Sequence, residues 1–359
     1  MKSWIVGEKE AGQRLNKFMK WRLPNAPDSF FYKMGRRKNL VINNQKCKGD
    51  EVLKAGDCVK LYVSDDTIAL FSDTQETEFT PYLKAFRELK DVTVIKETED
   101  FLFLFKPSGV LSQKSKPQDL SLNDWLIGYL YDSGKISEES FKTYHPTILN
   151  RLDRNTAGLV FCAKNTKASI EGSKLLREHS VGKFYHCIVD GECDLEGRLE
   201  GYLYKDAGKN KSEFIRNEKY EKLSKEEQKK YDPVSLSVKP LKKKYGKTLL
   251  EIQLHAGKSH QIRVMLAENG FPIAGDIKYN SNVERHSAKD NKGNSAANAK
   301  GNSAANSKDK AKSGSNPYMD AQLLCAVRME FPEDLEEFED LRGAVIACEA
   351  PFSLENFKI

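Results

Sequence analysis

The sequence lacks any Cys-x-x-Cys pair, although its 359 residues include seven cysteines. Structural zinc sites need such closely spaced ligands, and disulfide frameworks are typical of short secreted chains. The cysteines are scattered, mostly within apolar runs, at Cys47, Cys58, Cys162, Cys187, Cys193, Cys325 and Cys348. We therefore expect reduced, buried thiols in a cytoplasmic protein that has no metal site.

Long hydrophobic runs are also missing. The longest ones, such as residues 101–105, are far too short to span a bilayer, which takes about 20 apolar residues. Residues 1–12 have no apolar core of the length that a signal peptide needs. We therefore expect no membrane association.

Positively charged residues are only slightly in excess, with a formal net charge of +6. This mild basicity permits a polyanionic partner but does not require one. The chain length suggests two or three domains, and a hydrophobic content of 39% is enough for a sizeable core.

The most informative stretch places one carboxylate between two arginines. Asp153 lies between Arg151 and Arg154, ahead of an apolar run at residues 159–163, which predicts a polar loop leading into a buried strand. A carboxylate between guanidiniums stays ionised, because nearby positive charge stabilises its charged form. Such a group is a candidate nucleophile or base. The alternative is a structural Asp–Arg pair at a strand entry, and the local residues alone favour it.

The same stretch resembles the signature of the RluA family of pseudouridine synthases, which modify large-subunit ribosomal RNA and related RNAs. In that family the Asp of an Arg-Leu-Asp core is catalytic, and the matching residue here is Asp153. Five positions differ from the family's usual pattern. Ser108 replaces an Ala, Asn150 replaces a His, Ala157 replaces a Ser, Lys258 replaces an Arg, and Cys325 in a later strand replaces a His.

Three further segments resemble motifs of this family, in the family's order. They are Lys-Pro-Ser-Gly at 106–109, Lys-Phe-Tyr at 183–185 and His-Gln-Ile-Arg at 260–263. The resemblance implies that Tyr185 stacks on a flipped base and handles a proton, and that Arg263 pairs with the catalytic Asp153. It also implies that Arg151 fills the gap left by the flipped nucleotide. Taken alone, Tyr185 is typical of a cross-strand aromatic, and Arg263 of an exposed residue on an amphipathic helix.

Residues 1–65 predict a small basic module. Its apolar spacing indicates two short helices, a basic turn and then strands. That order resembles the alpha-L RNA-binding motif first known from a small-subunit ribosomal protein. The resemblance implies contacts with RNA phosphates through Lys33, Arg36, Arg37 and Lys38. On charge alone, a solvated helix end is an equal alternative.

Composition predicts the remaining boundaries. Residues 66–90 are acidic and poor in apolar side chains, which predicts a surface linker. Residues 91–359 are expected to form the catalytic domain, in which residues 192–247 are charged and predicted to be irregular, apart from an exposed helix at residues 222–230. Residues 281–316 carry two copies of Gly-Asn-Ser-Ala-Ala-Asn in a Lys-, Ser- and Asn-rich tract, which predicts a flexible insertion without a core.

The resemblance covers nearly the whole chain and implies an α+β fold. We expect a mixed, mostly antiparallel central sheet with flanking helices, plus a small N-terminal α/β RNA-binding module. The implied reaction is the isomerisation of uridine to pseudouridine in RNA, without cofactor or metal. We expect a monomer whose substrate is large-subunit ribosomal RNA, with transfer RNA as the alternative. The rival from another class is a non-catalytic RNA-binding assembly factor, and the retention of Asp153, Tyr185 and Arg263 argues against it.

Overall fold

The computed structural model of the protein describes residues 1–72, 79–206, 208, 210–280 and 321–358. The insertion predicted at 281–316 lies outside the described residues. None of the described helices combines the length and the apolar composition that a bilayer crossing requires.

The N-terminal residues form a small unit with its own core. Its elements are β1 (Lys2–Ile5), a 3-10 helix (Glu8–Glu10), α1 (Leu15–Arg22), α2 (Asp28–Arg36), β2 (Leu40–Ile42), β3 (Gln45–Lys46) and β4 (Cys58–Leu61). The strands pair antiparallel in the order β1-β4-β2-β3, and the helices bury Phe18 and Phe31 against them. The predicted order of two helices followed by strands is therefore present, with α2 ending in the basic run.

This unit is in direct contact with the rest of the chain. The ring of Trp21 meets the ring of His145 edge-on, with centroids 4.7 Å apart, and His145 stacks on Phe141 at 3.8 Å. Lys9 pairs with Glu99 at 3.0 Å, but both side chains are exposed, so this ion pair contributes little stability. His145 therefore has a packing role at the contact between the two parts.

The stretch predicted as a linker, residues 66–90, overlaps two helices. They are α3 (Asp65–Phe71) and α4 (Thr80–Glu88). Ile68 of α3 joins the N-terminal core, and Tyr82 and Phe86 of α4 pack toward α5 (Leu122–Asp132). The crossing is so close that a Cβ on Gly128 would lie 2.3 Å from the carbonyl oxygen of Tyr82. The average composition of residues 66–90 does not reveal these few apolar residues, because only their helical spacing indicates that they pack together.

The rest of the described chain forms one large sheet with helices on both faces. The strands are β5 (Thr93–Glu97), β6 (Phe101–Lys106), β7 (Thr147–Ile148), β8 (Ala157–Ala163), β9 (Gly182–Asp190), β10 (Gly197–Asp206), β11 (Lys211–Ile215), β12 (Asp232–Lys244), β13 (Lys247–Leu254), β14 (Leu324–Glu330) and β15 (Val345–Ala347). The further helices are α6 (Glu138–Phe141), α7 (Thr166–Arg177), α8 (Asn217–Tyr220), α9 (Lys225–Gln228), α10 (Gln261–Glu268) and the 3-10 helices Glu339–Leu341 and Leu354–Phe357.

Among the described residues, the main path of this sheet runs β11-β10-β12-β13-β9-β14-β8-β6-β5, with β15 beside β14 and β7 beside β8. The pairing of β14 with β8 is parallel, whereas the other pairings of the described strands are antiparallel. This topology confirms the predicted α+β class with a mixed, mostly antiparallel sheet.

Strand β8 lies in the middle of the sheet and is buried along its whole length. Val160 and Cys162 face the cluster that includes α5 and α10, whereas Leu159 and Phe161 face the cluster that includes α7. Because alternate side chains of a strand point to opposite faces, α10 and α7 lie on opposite sides of the sheet. The continuous apolar run predicted at 159–163 reflects this burial on both faces.

The prediction of irregular structure at residues 192–247 is wrong. This stretch holds three strands, β10, β11 and β12, and two short helices, of which the exposed α9 lies within the helix predicted at residues 222–230. In β12 the buried residues Val234, Leu236 and Val238 alternate with more exposed positions, so only one face is apolar. The lysine-rich end of β12 obscured that alternation in the sequence.

Candidate active site

Asp153 lies in the loop between β7 and β8, and its carboxylate faces the N-terminal part of α10. Its Oδ2 accepts a hydrogen bond from Nη1 of Arg263 at 2.9 Å. The other side of the guanidinium is fixed, because Nε and Nη2 of Arg263 donate to Oδ2 and Oδ1 of Asp276 at 2.7 and 2.9 Å. This two-pronged pairing orients Arg263, so that one N–H group points at Asp153.

The two arginines beside Asp153 in the sequence do not pair with it. Nε of Arg154 donates to the carbonyl of Gly109 at 3.0 Å, and Arg151 is exposed and makes no ion pair within the described residues. The expectation that these neighbours hold the carboxylate in its charged form is therefore wrong. Neighbouring side chains of a loop point in different directions, and the cation that meets Asp153 is Arg263, on another helix.

Burial and charge set the protonation states of this cluster. Burial works against the charge of Arg263, but the hydrogen bonds and charge of Asp276, together with the charge of Asp153, raise its pKa. The imidazole Nε2 of His260 is 3.8 Å from Oδ2 of Asp153, and burial lowers the pKa of His260 to about 4. His260 is therefore neutral near pH 7, and Nδ1 of its ring lies 2.8 Å from the hydroxyl of Tyr279. Arg263 is the permanent cation next to Asp153.

The side chain of Asp153 is accessible on its other edge. Its exposed fraction is 29%, compared with 9% for Arg263 and 0% for Asp276. Oδ1 of Asp153 accepts no hydrogen bond from a described residue, whereas both oxygens of Asp276 are occupied. One carboxylate oxygen is thus oriented by Arg263 while the other is open to a substrate.

Tyr185 lies in β9, between Ile252 of β13 and Ala326 of β14. Burial raises the pKa of its phenol, and the negative charge of Asp153 raises it further. The phenol therefore stays protonated at neutral pH. Its hydroxyl donates no hydrogen bond to another described residue.

Lys106 hydrogen-bonds to the loop that carries Asp153. Its side chain is fully buried, and Nζ donates to the carbonyl oxygens of Pro107, Val110 and Arg154 at 3.1, 2.9 and 3.0 Å. In its protonated form the ammonium group supplies three donors, one for each carbonyl. Burial lowers the pKa of Lys106 to about 7, and the charge of Asp153 opposes that shift. Lys106 therefore ties the Lys-Pro-Ser-Gly turn to the candidate catalytic loop.

Two serines complete this support. The Ser108 hydroxyl donates to the carbonyl of Asn155 at 3.0 Å, and the Ser112 hydroxyl donates to the carbonyl of Leu152 at 2.8 Å. The amide of Leu152 donates back to the oxygen of Ser112 at 3.1 Å. The backbone on both sides of Asp153 is therefore hydrogen-bonded to residues 106–112, which leaves little freedom in its position.

The positions that depart from the family pattern have supporting roles. Oδ1 of Asn150 accepts the amide hydrogen of Phe161 at 2.7 Å, which anchors the start of the loop to β8. Cys325 is buried in β14, where its backbone neighbours Ala157 of β8. The following glycine is required by packing, because a Cβ on Gly158 would lie 2.2 Å from the carbonyl oxygen of Ala326. Among the described residues, neither Asn150 nor Cys325 hydrogen-bonds to Asp153.

We expect the change Lys106→Met to lower both stability and turnover. Methionine retains much of the apolar stem but leaves three carbonyl groups without their donor, at a cost of about 3 kcal/mol in unfolding free energy. A small displacement of Asp153 should lower kcat by about 100-fold. Thermal melts and single-turnover assays measure the two effects. The control Ser108→Ala removes one hydrogen bond from the same loop and should have a much smaller effect, and a folded Lys106→Met protein with normal kcat contradicts this role.

The structure brings together Asp153, Tyr185 and Arg263, as the resemblance implies. It does not bring Lys33, Arg36, Arg37 and Lys38 to this cluster. Those four residues are exposed around the end of α2 and make no ion pair within the described part of the chain. Asp276 and Lys106 have no role that the sequence alone predicts, although both occur in the motif segments. The only available signal was an isolated charged residue next to glycine or proline.

The chain is similar in sequence to known proteins. The family model described as RNA pseudouridylate synthase matches residues 100–268. An uncharacterized RNA pseudouridine synthase of Mycoplasma capricolum is 27% identical over 79% of this chain and 87% of that protein. Ribosomal large subunit pseudouridine synthase C of Vibrio vulnificus is 27% identical over 76% of this chain and 78% of that protein.

A solved structure of a pseudouridylate synthase has a similar fold. Human RNA pseudouridylate synthase domain containing 4 superposes with a TM-score of 0.51 at 16% identity, covering 76% of this chain and 93% of that chain. The matched family segment contains Asp153, Tyr185 and Arg263. The chain therefore belongs to the RNA pseudouridylate synthase family.

Proposed function

We propose that this pseudouridine synthase isomerises specific uridines of large-subunit ribosomal RNA, with Asp153 as its catalytic carboxylate. The observation that carries the assignment is the carboxylate of Asp153, oriented on one oxygen by Arg263 and open on the other. In the reaction the bond from N1 of uracil to C1′ of the ribose breaks, the base rotates, and C5 bonds to C1′. C5 loses a proton and N1 gains one, so that no co-reactant is consumed.

Asp153 acts on the ribose, either as a nucleophile at C1′ or as a base at C2′, and both roles require the ionised carboxylate. Arg263 orients it and places a fixed positive charge next to it. Tyr185 stacks on the uracil, for which a protonated, neutral phenol ring is suited. Arg151 fills the gap that the flipped nucleotide leaves, and its exposed guanidinium has no competing ion pair within the described residues.

The choice of ribosomal RNA is supported by the names of relatives. Proteins of Vibrio vulnificus and Escherichia coli that are 27% and 26% identical to this chain are called ribosomal large subunit pseudouridine synthase C. The test is to map pseudouridines in ribosomal and transfer RNA from cells with and without this protein. Loss of one or more sites in large-subunit RNA supports the proposal. Loss of pseudouridines from transfer RNA alone would identify transfer RNA as the substrate. No loss in either RNA would favour an assembly factor.

The proposal assigns RNA binding to residues 1–65 and catalysis to residues 91–359 of a cytoplasmic monomer. In the N-terminal unit, Arg36, Arg37 and Lys38 are exposed, and they form no ion pair with a carboxylate of the described residues. Their charge is therefore available to RNA phosphates, which position an RNA without reading its sequence.

We expect the triple change Arg36→Gln, Arg37→Gln and Lys38→Gln to weaken RNA binding and to flatten its salt dependence. Each lost phosphate contact should lower the slope of log affinity against log salt by about 0.7 to 0.9. Titration of the mapped RNA at several salt concentrations measures the slope. The control removes three cations from α7 instead, at Lys167, Lys174 and Arg177. An equal slope in the triple variant and the wild type contradicts an RNA contact at the end of α2.

A further inference from the structure

The turn after α10 is fixed relative to Asp153. The amides of Lys278 and Tyr279 donate to Oδ1 of Asp276 at 2.9 and 3.2 Å. Asp276 is the same carboxylate that orients Arg263, and Arg263 in turn contacts Asp153. The backbone of Lys278 is therefore held in a defined position three contacts away from the candidate catalytic group.

The ammonium group of Lys278 has no carboxylate partner within the described residues. Nζ donates to the backbone carbonyl of Asn210, in the connection between β10 and β11. Burial lowers the pKa of Lys278, repulsion by Arg263 and Lys211 lowers it further, and attraction to Asp153 opposes both. A half-buried cation that other cations repel is stabilised when an anion binds next to it.

The β10–β11 hairpin adds two more lysines to the same edge of the site. The Ser212 hydroxyl donates to the carbonyl of Ser259 at 2.8 Å, and the Ser212 amide donates to the Tyr279 hydroxyl at 2.7 Å. These bonds tie the hairpin to the turns before and after α10. Nζ of Lys205 donates to the Ser259 hydroxyl at 3.2 Å, and Lys211 is exposed. We call Lys205, Lys211 and Lys278 the lysine rim.

The positive charge of the lysine rim is largely uncompensated by nearby carboxylates. Asp153 and Asp276 are both engaged by Arg263. Asp206 is the cross-strand neighbour of Lys211, but neither Lys211 nor Lys205 forms an ion pair with a described residue. Lys258 differs, because it pairs with Asp232 at 2.8 Å. The unpaired lysines are thus concentrated on the side of the site where the hairpin meets α10.

We propose that the lysine rim binds the backbone phosphates of the RNA strand next to the target uridine. The proposal rests on the function proposed above and assigns the direction in which the strand leaves Asp153, along the β10–β11 hairpin. Lysine provides a compact charge that attracts phosphate without fixing the base, which suits a contact that positions the strand. The rim therefore adds to affinity and places the ribose against the open oxygen of Asp153.

Binding of a fluorescent oligouridylate to the full chain tests this proposal. The double change Lys211→Gln and Lys278→Gln should lower the slope of log affinity against log salt by about 1.4, which is about 0.7 for each contact with a single strand. The matched control removes two lysines from α7, on the opposite face of the sheet, by Lys167→Gln and Lys174→Gln. That control should keep the slope of the wild type. A Lys211→Arg and Lys278→Arg protein, which retains both charges, should restore most of the slope.

The outcomes separate this inference from the catalytic assignment. Binding is measured without turnover, so the result stands whether or not Asp153 is catalytic. On the mapped RNA, the double Gln variant should raise KM more than it lowers kcat, because the rim acts on binding. A folded double Gln variant whose salt slope matches that of the wild type overturns the proposal. Equal loss of slope in the α7 control also overturns it, since the effect would then be one of total charge.

Discussion

Replacing Asp153 with Asn should reduce pseudouridine formation below detection while RNA binding stays near normal. The amide can neither attack the ribose nor accept a proton from it. Folding should change little, because the side chain is 29% exposed and Arg263 keeps its pairing with Asp276. The amide oxygen can also still accept the hydrogen bond from Arg263. We expect a loss of about 1 kcal/mol or less in unfolding free energy, as for a partly exposed ion pair.

Single-turnover assays on the mapped RNA, run beside thermal melts and binding titrations, measure these three quantities separately. The matched control is Asp119→Asn, which makes the same chemical change in a nearby loop, where Asp119 accepts the amides of Ser115 and Lys116. That control should retain turnover. If Asp153 were only a structural partner of Arg263, activity would fall in step with folding. A well-folded Asp153→Asn protein with near-normal turnover rules out the catalytic role.

Some of this site could be predicted from local sequence and some could not. The strand β8 was predictable, because an apolar run bounded by polar residues is typical of a strand buried on both faces. The pairing of Asp153 with Arg263 joins residues 110 positions apart, and only the resemblance to a family indicated it. Arg151 and Arg154, the cations that the local sequence predicts, do not pair with Asp153, because proximity in sequence does not determine where side chains point in a loop.

The roles of Lys106 and Asp276 illustrate the same limit. Each is buried and each depends on partners from another segment, so its function exists only once the sheet has formed. The helices α3 and α4 were missed for a different reason. Their polar composition suggested a linker, and their few apolar residues, such as Ile68 and Phe86, became informative only when their packing partners were known.

Replacing Arg263 with Met should destabilise the protein strongly and also abolish catalysis. The change leaves Asp276, whose side chain is fully buried, without its cation. Breaking a buried pair by removing one partner costs about 3–5 kcal/mol. Asp153 loses the group that orients it, and turnover in the remaining folded protein should fall by about 100-fold or more. Chemical denaturation gives the stability loss, and single-turnover assays at low temperature give the rate.

A second variant separates the two effects of that change. In Arg263→Met with Asp276→Asn, no charge is left buried, and the amide oxygen of Asn can still accept the backbone hydrogens of Lys278 and Tyr279. Most of the lost stability should therefore return, whereas Asp153 still lacks its guanidinium and turnover should stay low. If the double variant regained turnover together with stability, Arg263 would matter only as the partner of Asp276. Stability without turnover would show that the guanidinium acts on Asp153 directly.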